Sequence, residues 1–117
     1  MRDNELQNRL FDFAVRVLKF LPNLPKTIEL GEIRHQLAKS ASSADANYEE
    51  SQAGSSRADF INKVRISLRE MRESNYWLRL ISSTLNEKAN SVELSVLLKE
   101  SDELKKILGA IVAKSNK

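Results

Sequence analysis

The chain contains no cysteine. That excludes a disulfide framework and a thiolate metal site. It has one histidine, His35, which forms a Glu-x-x-His pair with Glu32. A di-metal carboxylate site in a helical bundle needs two such pairs and two further carboxylates, so none can form within one subunit. Serines are plentiful, but the lone imidazole lies beside Arg34 and nothing marks it as a base for a nucleophile. No glycine-rich loop precedes a helix, so no phosphate cradle of that kind is visible. No apolar run approaches the ~20 residues that cross a bilayer. The opening "MRDNELQNRL" is too charged for the apolar segment of a signal peptide. These absences describe a soluble, cytoplasmic, non-enzymatic chain without metal or cofactor.

What is present suits one domain. The chain has 117 residues, 41% hydrophobic and 30% charged, with a net charge of +3 and a pI near 9.3. A mildly basic balance permits a polyanionic partner without requiring one. The charges are sorted along the chain. Residues 41–56 carry Asp45, Glu49 and Glu50 and no base. Residues 63–79 carry Lys63, Arg65, Arg69, Arg72 and Arg79 against Glu70 and Glu73. After Glu103 come Lys105, Lys106, Lys114 and Lys117 and no acid.

The only prolines, Pro22 and Pro25, break the pattern at "LPNLPKT". Before them Leu6, Leu10, Phe13, Val17 and Phe20 recur at steps of three and four, with Ala14, Leu18 and Leu21 widening the face. This predicts an amphipathic helix over 4–21. The stretch "LAKSASSADANYEESQAGSSRADF" resembles a linker, yet Leu30, Ile33, Leu37, Ala41, Ala44 and Tyr48 carry the helical step through it. Alanine is the best helix former, and a face of Ala and Ser lets another helix approach closely. The spacing predicts one helix over 28–51, with Thr27 as its N-cap. The turn is then "SQAGSS". Ser56 caps a third helix over 57–88, whose seam is Phe60, Val64, Ser67, Met71, Ser74, Leu78, Ile81 and Leu85. Ser91 caps a fourth over 92–113, with Leu94, Leu97, Ser101, Leu104, Leu108 and Ile111 inward and Leu98 on the flank. Four helices with short connections and no strand pattern give an all-α, antiparallel up-down-up-down four-helix bundle. Seams stepping by three and four favour a shallow left-handed crossing.

Two surface features carry functional expectations. Arg65, Arg69, Arg72, Tyr76 and Arg79 form one stripe on the third helix, opposite its core seam. Guanidinium groups bind phosphate oxygens, and Tyr76 can stack on a base, so the stripe with Lys63 is the candidate nucleic-acid surface. The other reading is a solvated face, with Glu73 pairing with Arg69 four residues before it. Ile66, Trp77 and Leu80 lie on the flank of the same helix. They are candidates for an oligomer interface with Glu73, unless the first or fourth helix covers them.

The stretch "QLAKSASSADANYEESQAGSSRADFINKVRISLREMRESNYWLRL" resembles the four-helix-bundle proteins named after the intervening sequences of bacterial 23S ribosomal RNA genes. Such chains show Ala-Asn-x-x-Glu at a helix end, a polar turn, then Ser-x-x-Asp-Phe opening a long helix. Here these are Asn47, Glu50, Ser56, Asp59 and Phe60. Arg72, Glu73, Tyr76, Trp77 and Leu78 match a further block, and "LPKTIELGEIRHQL" matches the start of the second helix. The match covers residues 5–85, and Ser51 departs from it where many members have Gly. The resemblance implies an antiparallel bundle, a ring-like homopentamer and a non-enzymatic protein. Through the accessory proteins of diversity-generating retroelements, it also implies RNA or DNA and a reverse transcriptase as partners.

Overall fold

The computed structural model describes residues 3–54, 56–85 and 91–115. Helix α1 spans Asp3–Phe20. Leu21, expected as its last residue, instead opens a 3-10 turn over Leu21–Asn23. Pro22 has no N–H to continue the helix, so the tighter turn takes over. Thr27 caps α2, Ile28–Ser51, its Oγ1 accepting from the Leu30 N–H at 3.2 Å. The helix runs unbroken through the serine-rich stretch, as the spacing predicts. The following turn is made by Gly54, whose φ of +81° lies in the left-handed region that a side chain would strain.

Ser56 caps α3, Arg57–Thr84, its Oγ accepting from the Asp59 N–H at 3.1 Å. The helix stops short of the expected residue 88. Leu85 is already extended (φ −77°, ψ 148°), although its apolar side chain is in phase with the seam. The rest of the expected extension lies outside the described residues. Helix α4, Val92–Ser115, is capped by the Ser91 hydroxyl, which accepts from the Leu94 N–H at 3.1 Å.

Side-chain pairs fix the topology. Arg9 meets Glu100 and Arg16 meets Glu93, so α1 and α4 run oppositely. Ser40 meets Ser74, and Ser67 reaches the carbonyl of Ala44, so α2 and α3 run oppositely. Asn75 meets Ser101 and Arg57 meets Ser115, which sets α4 against α3. The order is therefore up-down-up-down, with helix neighbours α1–α2, α2–α3, α3–α4 and α4–α1 around the core. The bundle measures 46 × 23 × 21 Å.

The core holds the residues at the three-four positions: Leu10, Phe13 and Val17 from α1, Leu37, Ala41 and Ala44 from α2, Val64, Met71, Leu78 and Ile81 from α3, and Leu94, Leu97, Leu104 and Leu108 from α4. One expected member is not inside. Leu18 is 50% exposed. It lies on the same side of α1 as Phe11, itself 55% exposed, seven residues and two turns earlier. Among the described residues no helix is long and apolar enough to cross a membrane.

One buried group is left unsatisfied. Asp45 on α2 is only 8% exposed, and its Oδ1 has no hydrogen-bond partner among the described residues. Burial, and then the charge of Glu49, push its carboxyl up to about 6.

Candidate nucleic-acid interface

The arginine stripe is present as the helical repeat predicts. Arg65, Arg69, Arg72, Tyr76 and Arg79 are all exposed along one side of α3. Lys63 is not with them. It is half-buried, and two residues before Arg65 on an unbroken helix it belongs to a different face. Glu73 does not pair with Arg69. Its Oε2 accepts from the Trp77 indole N–H at 3.1 Å, so the carboxylate is turned away from the stripe.

The flank residues are partly covered. Ile66, Trp77 and Leu80 are half-buried, and Trp77 packs against the core. Leu80 lines an apolar groove with Leu30 and Ile33, so the cover there comes from α2. Tyr76 meets Trp77 edge to face, with ring centroids 4.9 Å apart. Tyr76 is 46% exposed, and the Arg79 guanidinium lies 5.8 Å from its ring centroid.

The residues at the helix ends serve the frame. Asn47 Nδ2 donates to the Ser43 carbonyl at 2.9 Å and to its hydroxyl at 3.1 Å. Glu50 and Asp59 are exposed, Ser56 is the cap, and Phe60 packs against the core. Glu32 accepts from Gln36 at 3.1 Å. Among the described residues no group of three or more His, Asp or Glu side chains gathers as metal ligands.

The structure adds what a one-helix reading misses. Arg72 and Arg79 of α3 face Lys105 and Lys106 of α4 across a groove of about 540 Å³, with Gly109 in its lining. A Cβ at Gly109 would meet nothing within 4 Å, so the groove is open there. Arg72 has no ion-pair partner among the described residues. The two lysines share one carboxylate, Asp102, at 3.3 and 2.9 Å. They in turn hold its carboxyl below the usual range, Lys106 first by hydrogen bond and then Lys105. Four cations thus line the groove, and Asp102 pairs with two of them.

Beneath the groove lies a buried amide. Asn75 is 3% exposed. Its Nδ2 donates to the Ser101 hydroxyl at 2.8 Å, and its Oδ1 accepts from both Arg79 Nε at 3.1 Å and Lys105 Nζ at 3.3 Å. Neither Asn75 nor Ser101 stands out by composition. The available signal was polarity in phase with the buried faces of two helices.

The described residues define an all-α four-helix bundle with a basic groove between α3 and α4. More specifically, the chain belongs to the 23S rRNA-intervening sequence protein family, whose model matches residues 2–110. It is similar to a crystal structure of a protein of unknown function from the S23 ribosomal protein family of Bacteroides thetaiotaomicron VPI-5482. The two are 32% identical, the alignment covers 92% of this chain and 97% of that one, and the TM-score is 0.79. No curated protein matches the chain.

Proposed function

We propose that the protein is a non-enzymatic nucleic-acid-binding accessory protein, with RNA its first candidate ligand. The observation that carries this is the groove where Arg72 and Arg79 of α3 face Lys105 and Lys106 of α4. Arg65 and Arg69 extend the positive face along α3. Spaced guanidinium and ammonium groups suit phosphate oxygens and read little sequence. The family description, which names an intervening sequence of 23S rRNA, supports trying structured RNA before duplex DNA. On the retroelement side of the resemblance, the same face would present nucleic acid to a reverse transcriptase.

The test is a binding titration on structured RNA and on duplex DNA at two salt concentrations. Affinity should fall steeply with salt, because phosphate contacts release counterions. Equal, negligible binding of both at low salt would remove this reading.

A second reading is a homo-oligomeric interaction scaffold without nucleic acid. It is favoured by Phe11 and Leu18, two large apolar side chains exposed on one side of α1, and by the half-buried Trp77. A ring of copies, pentameric by the resemblance, would cover such groups. Under this reading Arg69 and Arg72 pair with carboxylates of another subunit. Replacing both with Ala then dissociates the assembly in light scattering coupled to size exclusion, with no RNA affinity to lose.

A further inference from the structure

We infer that the groove between α3 and α4 contains one discrete seat for a phosphate group, organised from beneath by Asn75 as a positioning residue. This rests on the nucleic-acid reading for its physiological ligand, a phosphodiester, but the seat is defined by its own geometry.

Asn75 Oδ1 lies at the centre of the seat. One buried carbonyl oxygen accepts from a guanidinium Nε and an ammonium Nζ of different helices. That brings two like charges to a common point, which costs energy unless an anion lies nearby. Asp102 supplies only part of that charge, because it also binds Lys106. The Asn75 amide is fixed in turn by its bond to Ser101, a hydroxyl with no exposed surface. The carbonyl oxygen therefore points toward the cations, with Nδ2 committed to Ser101.

Arg79 is held twice, by Asn75 at Nε and by the Tyr76 ring beside its guanidinium. Its two Nη groups make no hydrogen bond or ion pair among the described residues, and they form the pair that grips a phosphate in bidentate fashion. A pre-set arginine loses less rotamer freedom on binding than a free one. The seat centres on Arg79 and Lys105, the two cations that Asn75 holds. A phosphate there would meet Arg79, Lys105 and Lys106, with Arg72 at the rim and Gly109 leaving room.

The same phosphoryl chemistry is offered by a nucleic-acid backbone or by a free phosphate, and two probes separate them. In the first, inorganic pyrophosphate is titrated into the wild-type protein and followed by NMR. The side-chain amide of Asn75 and the Nε–H of Arg79 should shift most, and saturate together. Shifts spread evenly over Arg65, Arg69, Arg72 and Arg79 would overturn the seat. In the second, structured RNA is titrated at several salt concentrations against wild type, Asn75→Ala and Arg79→Gln. Loss of a charged contact should lower the salt slope by about 0.7 to 0.9. Loss of a positioning group should leave the slope and weaken binding about five- to tenfold, the effect of one hydrogen bond. Arg79→Gln should thus change the slope and Asn75→Ala only the affinity.

A lower melting temperature for Asn75→Ala with RNA affinity unchanged would make the amide merely structural and sink the inference, while leaving the nucleic-acid reading intact. Pyrophosphate shifts at Arg79 without RNA binding would do the reverse, and would assign the seat to a free phosphate. If Asn75→Ala does not fold, Gly109→Glu takes its place. It puts a carboxylate in the groove where a side chain meets no obstruction, and should abolish the pyrophosphate shifts. Shifts unchanged in Gly109→Glu would place the anion elsewhere and overturn the seat.

Discussion

The α2–α3 seam and the α1–α4 seam hold the same bundle together by opposite means. Between α2 and α3 the contact residues are small. Ser40 and Ser74 hydroxyls meet at 2.7 Å, Ser67 donates to the Ala44 carbonyl at 2.7 Å, and Ala41 and Ala44 are buried beside them. Between α1 and α4 long charged side chains span the outside. Arg9 reaches Glu100 at 2.6 Å and Glu103 at 3.0 Å, and Arg16 reaches Glu93 at 2.5 Å. Packing forces fall off within ångströms and leave no tolerance for added atoms. Exposed ion pairs act across water, contribute little, and weaken with salt. The first seam is therefore rigid and intolerant of size, and the second is adjustable.

The sharpest way to break this contrast is to enlarge the tight seam. Ala44 is fully buried, and its carbonyl accepts from Ser67 of α3. Ala44→Leu should cost about 1–3 kcal/mol by overpacking, and Ala44→Pro about 3 kcal/mol or more by also breaking the helix. Denaturant melts followed by circular dichroism measure both. A melt unchanged by either would return the serine-rich stretch to the linker reading.

The next effect belongs to Asp45, which gives α2 a pH-dependent weakness. Its carboxyl is raised from an ordinary 3.8 to about 6, first by burial and then by Glu49. A raised value means the folded state holds the proton more tightly than the unfolded one. Its favourable contribution is complete below about pH 4 and is lost as pH rises through about 6. Asp45→Asn should therefore stabilise the protein by roughly 2 kcal/mol at pH 7.5, with the gain vanishing near pH 4. Thermal melts at the two pH values decide it. A gain equal at both would assign the effect to packing.

The smallest effect tests the adjustable seam. Arg9→Ala should cost about 0.5–1 kcal/mol at low salt and less at 1 M salt, since the Arg9–Glu100 pair is only partly shielded from water. A salt-independent loss of several kcal/mol would mean that α1 is held as tightly as α3.

These seams were legible to different degrees in the sequence. The seam residues of α2 and α3 were readable because a three-four step survives substitution by Ala and Ser. The caps at Thr27, Ser56 and Ser91 were readable because a hydroxyl before a helix has one strong local use. Leu18 was misplaced because the width of an apolar face depends on where the neighbouring helices stop, which no single helix reveals. The early end of α3 was hidden by Leu85, an apolar residue in phase with the seam but extended in its backbone. The arginine stripe was legible as a one-helix pattern. Its meeting with Lys105 and Lys106, and the amide beneath it, were not, because they depend on the register between α3 and α4.

That register has its own guardian in the buried serines. Leucines facing leucines would fit nearly as well after sliding by one turn. Ser40, Ser67 and Ser101 would not. A slip would part Ser40 from Ser74, strand Ser67 away from the Ala44 carbonyl, and take Ser101 from Asn75. Ser40 and Ser101 would keep the carbonyls of their own helices, Leu37 and Leu98, but the Ser67 hydroxyl and the Asn75 amide, orphaned in the core, would each cost about 1–3 kcal/mol. The hydroxyls thus work as proofreading marks. They add little cohesion when the helices are aligned, and they penalise every misaligned copy.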